Sequence, residues 1–399
     1  MADRSSKEVE RSQNAGKKKR VTKRQRQKRK IIIFILEILC LVVLLGALYV
    51  WKLFSQVEID SGFTDSEAGV NEDLSEATIE TLEGYTNIAL FGLDNRTVGE
   101  SEGGHSDVIM IASINNKTKD VKLVSVYRDT YLSIGEGKFN KANSAYFRGG
   151  AKRAVQMLNT NLDLDIKDYV CVDWAAVIQA VDALGGVEIE VTKDEVKHLN
   201  KYVRDMGVEI GSDTTQIKKA GLQTLNGAQA TAYCRIRYTS GNDFKRASRQ
   251  RIVLEAMLKE AKEAKISTLL EICNVVFDDI STSLELSEIL ALAKNVTAYN
   301  IASTTGFPFE VTTKELSGSG DTVIPVGLLD DVSKLHEYMF DTMDYEPSTT
   351  VKAISDTIVD KTGVTEDSKT IDVSDFNDTA HQIGTDFKND DTEDTETEE

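Results

Sequence analysis

The chain has 399 residues, 41% hydrophobic and 28% charged, the balance of a globular protein with room for one large domain or two ordinary ones. With only 3 Pro and 26 Gly, a long proline-rich or glycine-rich linker is excluded. The net charge of −18 is uneven: residues 1–30 hold thirteen Lys/Arg against Asp3, Glu8 and Glu10, which leaves −28 on the remainder. A body that binds nucleic acid over most of its surface is therefore excluded, and any phosphate site must be a local basic cluster.

After the basic tail (1–30), the stretch Ile31–Val50 carries one charge, Glu37, and is long enough to cross a bilayer core as a helix. Tyr49 and Trp51 stand at its far end, where amphipathic rings favour the interface. A cleaved signal peptide is the alternative. The apolar run exceeds the usual ~7–15 residues, however, and no small-x-small cleavage site follows it. Residues 31–54 are thus read as a single transmembrane helix, with the N-terminus cytoplasmic and everything beyond it extracellular. Topology-setting charge is sufficient reason for the basic tail. Residues 55–84 are acidic, with little periodicity, and read as a spacer.

The globular region is expected to span 85–345. Ile88–Leu93, Val108–Ala112 and Val121–Val126 are apolar runs that read as buried strands. Ala151–Leu158 has helical spacing, 169–174 is strand-like, and Ala175–Leu184 reads as a helix closed by Gly185-Gly186. Val187–Val191 alternates as a strand with one wet face. Asn242-Asp243 offers an N-cap for a helix through Lys265, and further helices are expected near 266–277, 284–296 and 328–343. Strands alternating with helices predict an α/β sandwich around a mostly parallel or mixed sheet. The acidic stretch 346–399, with seven acids in its last ten residues, reads as a disordered tail. Cys40, Cys171, Cys234 and Cys273 have no CxxC spacing and predict inert thiols rather than a zinc site or a disulfide framework.

Chemistry gathers at the strand ends. Asp94 and Arg96 follow the first strand, Asp107 precedes the second, and Arg128-Asp129 follow the third. Carboxylates suit a hard divalent cation, and arginine forks suit phosphate. Arg235 and Arg237, two apart, would face one way on an extended segment; Arg246 and Gln250, four apart, share a helix face, with Arg249 beside them. So many guanidinium groups converge favourably only around a polyanion. A pyrophosphate would serve, bridged by a metal on Asp94 and Asp107. Local pairing, Arg128 with Asp129 and Arg246 with Asp243, is the simpler account of each arginine alone. Lys141 and Asn143 are weaker candidates, and His105 reads as a plain loop residue. No Ser/His/Asp arrangement, P-loop or dinucleotide fingerprint is present.

Phe91-Gly92-Leu93-Asp94-Asn95-Arg96, Ser106-Asp107, Tyr127-Arg128-Asp129-Thr130, Lys141 to Tyr146, Val181 to Val187 and Arg235-Ile236-Arg237 with Asp243, Arg246 and Arg249-Gln250 resemble the LytR-CpsA-Psr family of Gram-positive bacteria. The resemblance covers about residues 85–345. It implies that family's fold, a mixed β-sheet flanked by helices, behind a single membrane anchor. It also implies a cell-membrane enzyme that moves a glycopolymer, teichoic acid or capsular polysaccharide, from a polyprenyl-pyrophosphate carrier to a peptidoglycan hydroxyl. On this resemblance Asp94 and Asp107 hold Mg2+ and act in catalysis with Arg96 and Arg128. Arg96, Arg128, Lys141, Arg235, Arg237, Arg246 and Gln250 line the pyrophosphate site, and an apolar pocket takes the prenyl chain. No nucleic-acid partner is implied. Two positions depart from the family's pattern: Tyr127 stands where proline is frequent, and Val108 follows Ser106-Asp107 in place of threonine. A polyprenyl-pyrophosphate pyrophosphatase and a non-enzymatic cell-wall regulator are the rival readings. Thirty basic residues without apolar periodicity are too few for a DNA-binding fold.

Overall fold

The computed structural model describes residues 57–60, 63, 64, 67–93, 104–237 and 242–373, with isolated positions 44, 48, 52 and 55. The chain separates into two units, Met1–Ser55 and Gln56–Glu399. The basic tail and nearly all of the expected membrane segment lie outside the described residues. Leu44, Leu48 and Lys52 are helical and exposed. Among the described residues no helix is long and apolar enough to cross a membrane.

The strands, in chain order, are β1 (Glu58–Ile59), β2 (Tyr85–Leu93), β3 (Ser106–Asn115), β4 (Asp120–Val126), β5 (Tyr131–Ser133), β6 (Phe139–Lys141), β7 (Asp168–Asp173), β8 (Val187–Val191), β9 (Gly221–Leu225), β10 (Ile280–Thr282), β11 (Asn300–Phe307), β12 (Val311–Leu316) and β13 (Gly320–Pro325). The helices are α1 (Glu76–Glu83), α2 (Asn143–Leu162), α3 (Trp174–Leu184), α4 (Lys193–Glu209), α5 (Gly227–Arg235), α6 (Asn242–Glu263), α7 (Ile266–Val276), α8 (Leu286–Lys294), α9 (Leu328–Phe340) and α10 (Thr349–Thr362). Seven strands form one sheet in the order β1-β10-β7-β2-β3-β4-β11. It is mixed, as expected: β2 runs antiparallel to β3 and parallel to β7, and β11 runs parallel to β4.

Alternation along the strands gives the sheet two different faces. Ala89, Phe91, Ile109, Ile111, Val124 and Val126 enter the main core with α2, α9 and α10. Ile88, Met110, Val121 and Leu123 face the other way, against Leu254 of α6 and Leu292 of α8. Beyond that second face a separate core joins the β8–β9 ribbon to α4, α5 and α6 through Val187, Ile189, Leu199, Val203, Leu225 and Val253. The expected stop after α3 is realised by Gly185, whose positive φ of 90° lets its N–H reach back to Val181 and Asp182.

Two expectations are corrected. The acidic stretch 55–84 is no free spacer: β1 adds an edge strand beside β10, and α1 buries Leu82 in the main core. Asn159 Nδ2 donates to the Ala68 carbonyl (2.8 Å) and Asn71 Nδ2 to Asp163. These hydrogen bonds come from distant residues, so the segment is ordered without apolar periodicity of its own. The stretch from 346 is likewise structured as far as 373. Ser348 caps α10 by accepting the Val351 N–H (3.1 Å), Val351, Ile354 and Ile358 are buried in the main core, and Gly363 closes the helix at φ 69°. Polar residues between these apolar positions masked a Ser cap and Gly stop that were readable. Residues 374–399 lie outside the described residues. The expected helix at 328–343 ends earlier, at Phe340.

Ile358 is 2% exposed. Ile358→Ala is expected to cost about 2–5 kcal/mol of stability. A lower midpoint in urea unfolding would show it, and an unchanged midpoint would return α10 to a dispensable tail.

Candidate functional site

Three of the arginines singled out from the sequence, Arg128, Arg237 and Arg246, gather around Asp107. Arg128 Nη1 donates to Asp107 Oδ1 (2.6 Å), Arg237 Nη2 donates to Oδ2 (3.2 Å), and Arg246 Nη1 lies 3.6 Å from Oδ2. Arg246 Nη2 also donates to the Asp107 carbonyl (3.3 Å). The three arginines come from the turn after β4, the segment after α5, and α6. A second carboxylate, Asp243, braces them from the first turn of α6. It lies 3.1 Å from Arg246 Nη2 through Oδ1 and 3.4 Å from Arg128 Nε through Oδ2. Lys141 Nζ reaches Asp129 Oδ1 (3.0 Å), and Asp129 Oδ2 lies 3.4 Å from Arg128 Nε. The local pairs considered from the sequence thus exist, but inside a network. Asp94 and Arg96 lie outside the described residues. The paired strands end at Leu93 opposite Ser106, one residue before Asp94 and Asp107 in the sequence.

Burial and charge compete here. Burial opposes ionisation of Asp107, yet the guanidinium groups of Arg246, Arg128 and Arg237 outweigh it and hold the carboxyl below the usual carboxylate range. Burial also brings Arg246 down to about 10, with Asp243 and Asp107 opposing the shift and Arg128 and Arg237 adding to it. Asp243, Asp107 and Asp129 overcome the burial of Arg128 and raise it. Arg246 Nε and Gln250 Nε2 are buried without a hydrogen-bond partner. Orphaned donors of this kind call for an acceptor, and anionic oxygens would supply one.

The turn carrying Arg128 is fixed by its backbone. Tyr127 N–H donates to the Phe307 carbonyl (3.0 Å), and the Arg128 carbonyl accepts the Asn143 N–H (3.0 Å). A proline at 127 could not make the first bond. The tyrosine ring is buried and meets Phe244 edge-on, at 4.6 Å between centroids. Here the departure from the family's pattern adds a tie to β11 and leaves Arg128 in the cluster.

Arg235 and Arg237 differ from their expected extended arrangement. Arg235 ends α5 and lies 3.3 Å from Glu209, near the rings of Trp174 and Tyr202, while Arg237 follows the extended Ile236. Both still line one polar pocket of about 150 Å3, with Asp107, Arg246 and Gln250. Arg249 faces elsewhere. Its Nε donates to Glu195 Oε1 (2.8 Å) inside the second core, with the two side chains 1% and 3% exposed. Asp243 and Trp174 were not predicted as site residues. Asp243 was read as a helix cap, and the helix in fact starts one residue before it, which left a first-turn acid free to brace the arginines.

A second cavity, about 280 Å3 and almost wholly apolar, lies between the second face of the sheet and helices α3 and α6. Val108 and Met110 form its sheet side, Val253 and Met257 its helix side. Gly92 also lines it, and the lack of a Cβ there makes room for Val108, whose Cγ2 would lie 2.6 Å from one. Trp174, Cys234 and Gln250 line both cavities. One apolar hollow therefore abuts one guanidinium-lined pocket.

The model of the LytR_cpsA_psr family matches residues 54–324. A teichoic acid transferase TagU from Enterococcus faecalis is 34% identical over 209 residues, 52% of this chain and 64% of that protein, so the match spans just under two thirds of the relative. A TagU from Bacillus cereus is 30% identical over 280 residues, 67% of this chain and 84% of its own length. A solved structure of the LytR-CPS2A-psr family protein YwtF (TagT), with bound octaprenyl pyrophosphate lipid, covers 72% of this chain and all of its own at a TM-score of 0.51 and 20% identity, which shows a common fold. Fold and site together define a protein with a mixed sheet and an arginine-clasped carboxylate at the end of a central strand. The chain belongs to the LytR-CpsA-Psr family.

Arg249 and Glu195 separate structural arginines from those of the cluster. Breaking a fully buried pair costs about 3–5 kcal/mol, so Arg249→Ala should destabilise the fold by that amount in urea unfolding. Burial opposes ionisation of Glu195, but the Thr192 N–H and Arg249 hold its carboxyl below the usual carboxylate range. A depressed folded pKa gives stability that is complete above about pH 4.5 and is lost as pH falls through the folded value. The variant should lose part of that acid dependence. Unchanged stability would mean that Arg249 is free for the site.

Proposed function

We propose that this protein is a membrane-anchored extracellular phosphotransferase that moves a glycopolymer from a polyprenyl-pyrophosphate carrier to peptidoglycan. The observation that carries the reading is the shared wall of Trp174, Cys234 and Gln250 between an apolar cavity and a guanidinium-lined pocket. A prenyl pyrophosphate has that polarity: a long apolar chain ending in two phosphates. Family membership and the TagU relatives support the same chemistry. The apolar run at 31–54, set behind a basic tail, supports anchoring with the domain outside.

Arg246 and Gln250, with their unpartnered donors, would hold the pyrophosphate oxygens, and Arg128, Arg237 and Lys141 would surround the transferred phosphoryl group. Arg235 would close the pocket on the Trp174 side, and Arg96 is assigned to the same cluster on sequence grounds. Groups fixed in advance need no reorganisation as charge shifts to the departing prenyl phosphate. The cavity excludes water around the chain and fixes the phosphates at its mouth. Asp107 is a poor proton acceptor, because its neighbours keep the carboxyl ionised at low pH, whereas an effective general base is poised near neutrality. Its role is to orient the arginines and to ligate a cation.

Magnesium is the cation proposed. A buried, ionised carboxylate is a suitable hard donor, although both Asp107 oxygens already face guanidinium groups. Among the described residues no three acidic, His or Cys side chains form a metal site. Asp107 would hold the ion together with Asp94, and the ion would neutralise charge on the pyrophosphate oxygens.

Two variants test the reading on a lipid-pyrophosphate-linked glycopolymer with a peptidoglycan oligomer as acceptor. Asp107→Ala should lower transfer by at least about 100-fold. Val253→Trp should fill the cavity, abolishing prenyl pyrophosphate binding while inorganic pyrophosphate still binds. Wild-type transfer by Asp107→Ala, or release of free phosphate with no product on peptidoglycan, would sink the proposal.

A further inference from the structure

The proposed donor has a fixed covalent order: prenyl chain, pyrophosphate, then sugar. The first two have places in the fold. Val108 and Met110 of β3 line the apolar cavity on one face of the sheet, and Asp107 gathers the arginines at the start of the same strand. Alternation turns Ile109 and Ile111 to the opposite face, where α2 packs. From Asp107 the cluster continues through Arg128 to Asp129 and Lys141 and reaches the start of α2, where the Asn143 N–H holds the Arg128 carbonyl, and here the donor's sugar would follow its phosphates.

Two rings are stacked on that side. His105, two residues before Asp107, lies flat on Phe147, with centroids 4.7 Å apart and planes 9° from parallel. Phe147 is 53% exposed. It lies one helical turn beyond Asn143, whose N–H holds the Arg128 carbonyl, and residues four apart share a helix face. A single exposed phenylalanine needs no explanation by itself. Here the ring is stacked on a second ring that lies two residues from Asp107 in the chain, at a proposed site whose donor continues as a sugar. A pyranose offers an apolar C–H face to such a surface, as nucleic-acid bases offer a π-face to aromatic side chains.

We propose that His105 and Phe147 form a stacking platform for a pyranose ring, of either the donor glycopolymer or the acceptor glycan strand. The proposal rests on the transferase reading above. It adds a positioning element for the sugar beyond the phosphate cluster.

The test uses the full chain with Phe147→Ala and Phe147→Trp. Phe147→Ala should raise the KM for one sugar-bearing substrate about five- to tenfold, leave kcat nearly unchanged, and leave binding of sugar-free prenyl pyrophosphate unchanged. Phe147→Trp should restore the KM. A shift for the donor assigns the ring to the glycopolymer, and a shift for the acceptor assigns it to peptidoglycan. Unchanged KM for both, an equal loss of sugar-free prenyl pyrophosphate binding, or no recovery with tryptophan overturns the platform. If the wild-type chain neither transfers nor binds prenyl pyrophosphate, the transferase reading fails instead. Calorimetry with a soluble glycan oligosaccharide then reads the platform alone: weaker binding by Phe147→Ala supports it, and equal binding overturns it.

Discussion

A carboxylate held by arginines from two distant parts of the chain is the contact on which the site depends. Asp107 is the second residue of β3, and Arg237 and Arg246 lie 130 and 139 residues later. Without the acid, three guanidinium groups would repel one another at the edge of a sheet. Without the arginines, a mostly buried carboxylate would be driven toward its neutral form. Each side makes the other's burial tolerable, and Asp243 adds a second brace. Even so, Arg246 Nε and Gln250 Nε2 are left without an acceptor.

The chain uses the same residue type in two ways within one helix. Arg246 and Arg249 are three positions apart on α6. Arg246 faces the pocket, and Arg249 passes into the second core to meet Glu195. The buried pair ties α4 to α6 and so fixes the helix that presents Arg246 and Gln250. The geometry of the cluster and fold stability are linked here through one element.

Much of this was legible in the sequence. Ile88–Leu93, 121–126 and 187–191 are apolar or alternating runs whose pattern a buried strand requires, and Arg128, after the second of these, meets Asp107 on the neighbouring strand. Less was legible where tertiary contacts supply the order. β1 has two residues and exists because β10 is beside it. α10 has three buried apolar side chains among polar ones, so composition outweighed its capping residues. Arg235 was assigned to an extended segment because spacing alone cannot show that α5 ends on it. Asp243 was taken for a cap because the cluster it serves is formed by residues far away in sequence.

The apolar wall and the guanidinium wall come from different kinds of residue, and they tolerate change differently. Val108, Met110, Val253 and Met257 are apolar side chains of middling size, and such residues exchange with one another at modest cost when total volume is kept. Arginine forks have no equivalent substitute. The hollow can thus be lengthened, shortened or bent by ordinary drift while the guanidinium cluster stays fixed. On the proposed reading, preference for isoprenoid length would be a freely adjustable trait, separable from the reaction at the mouth of the hollow.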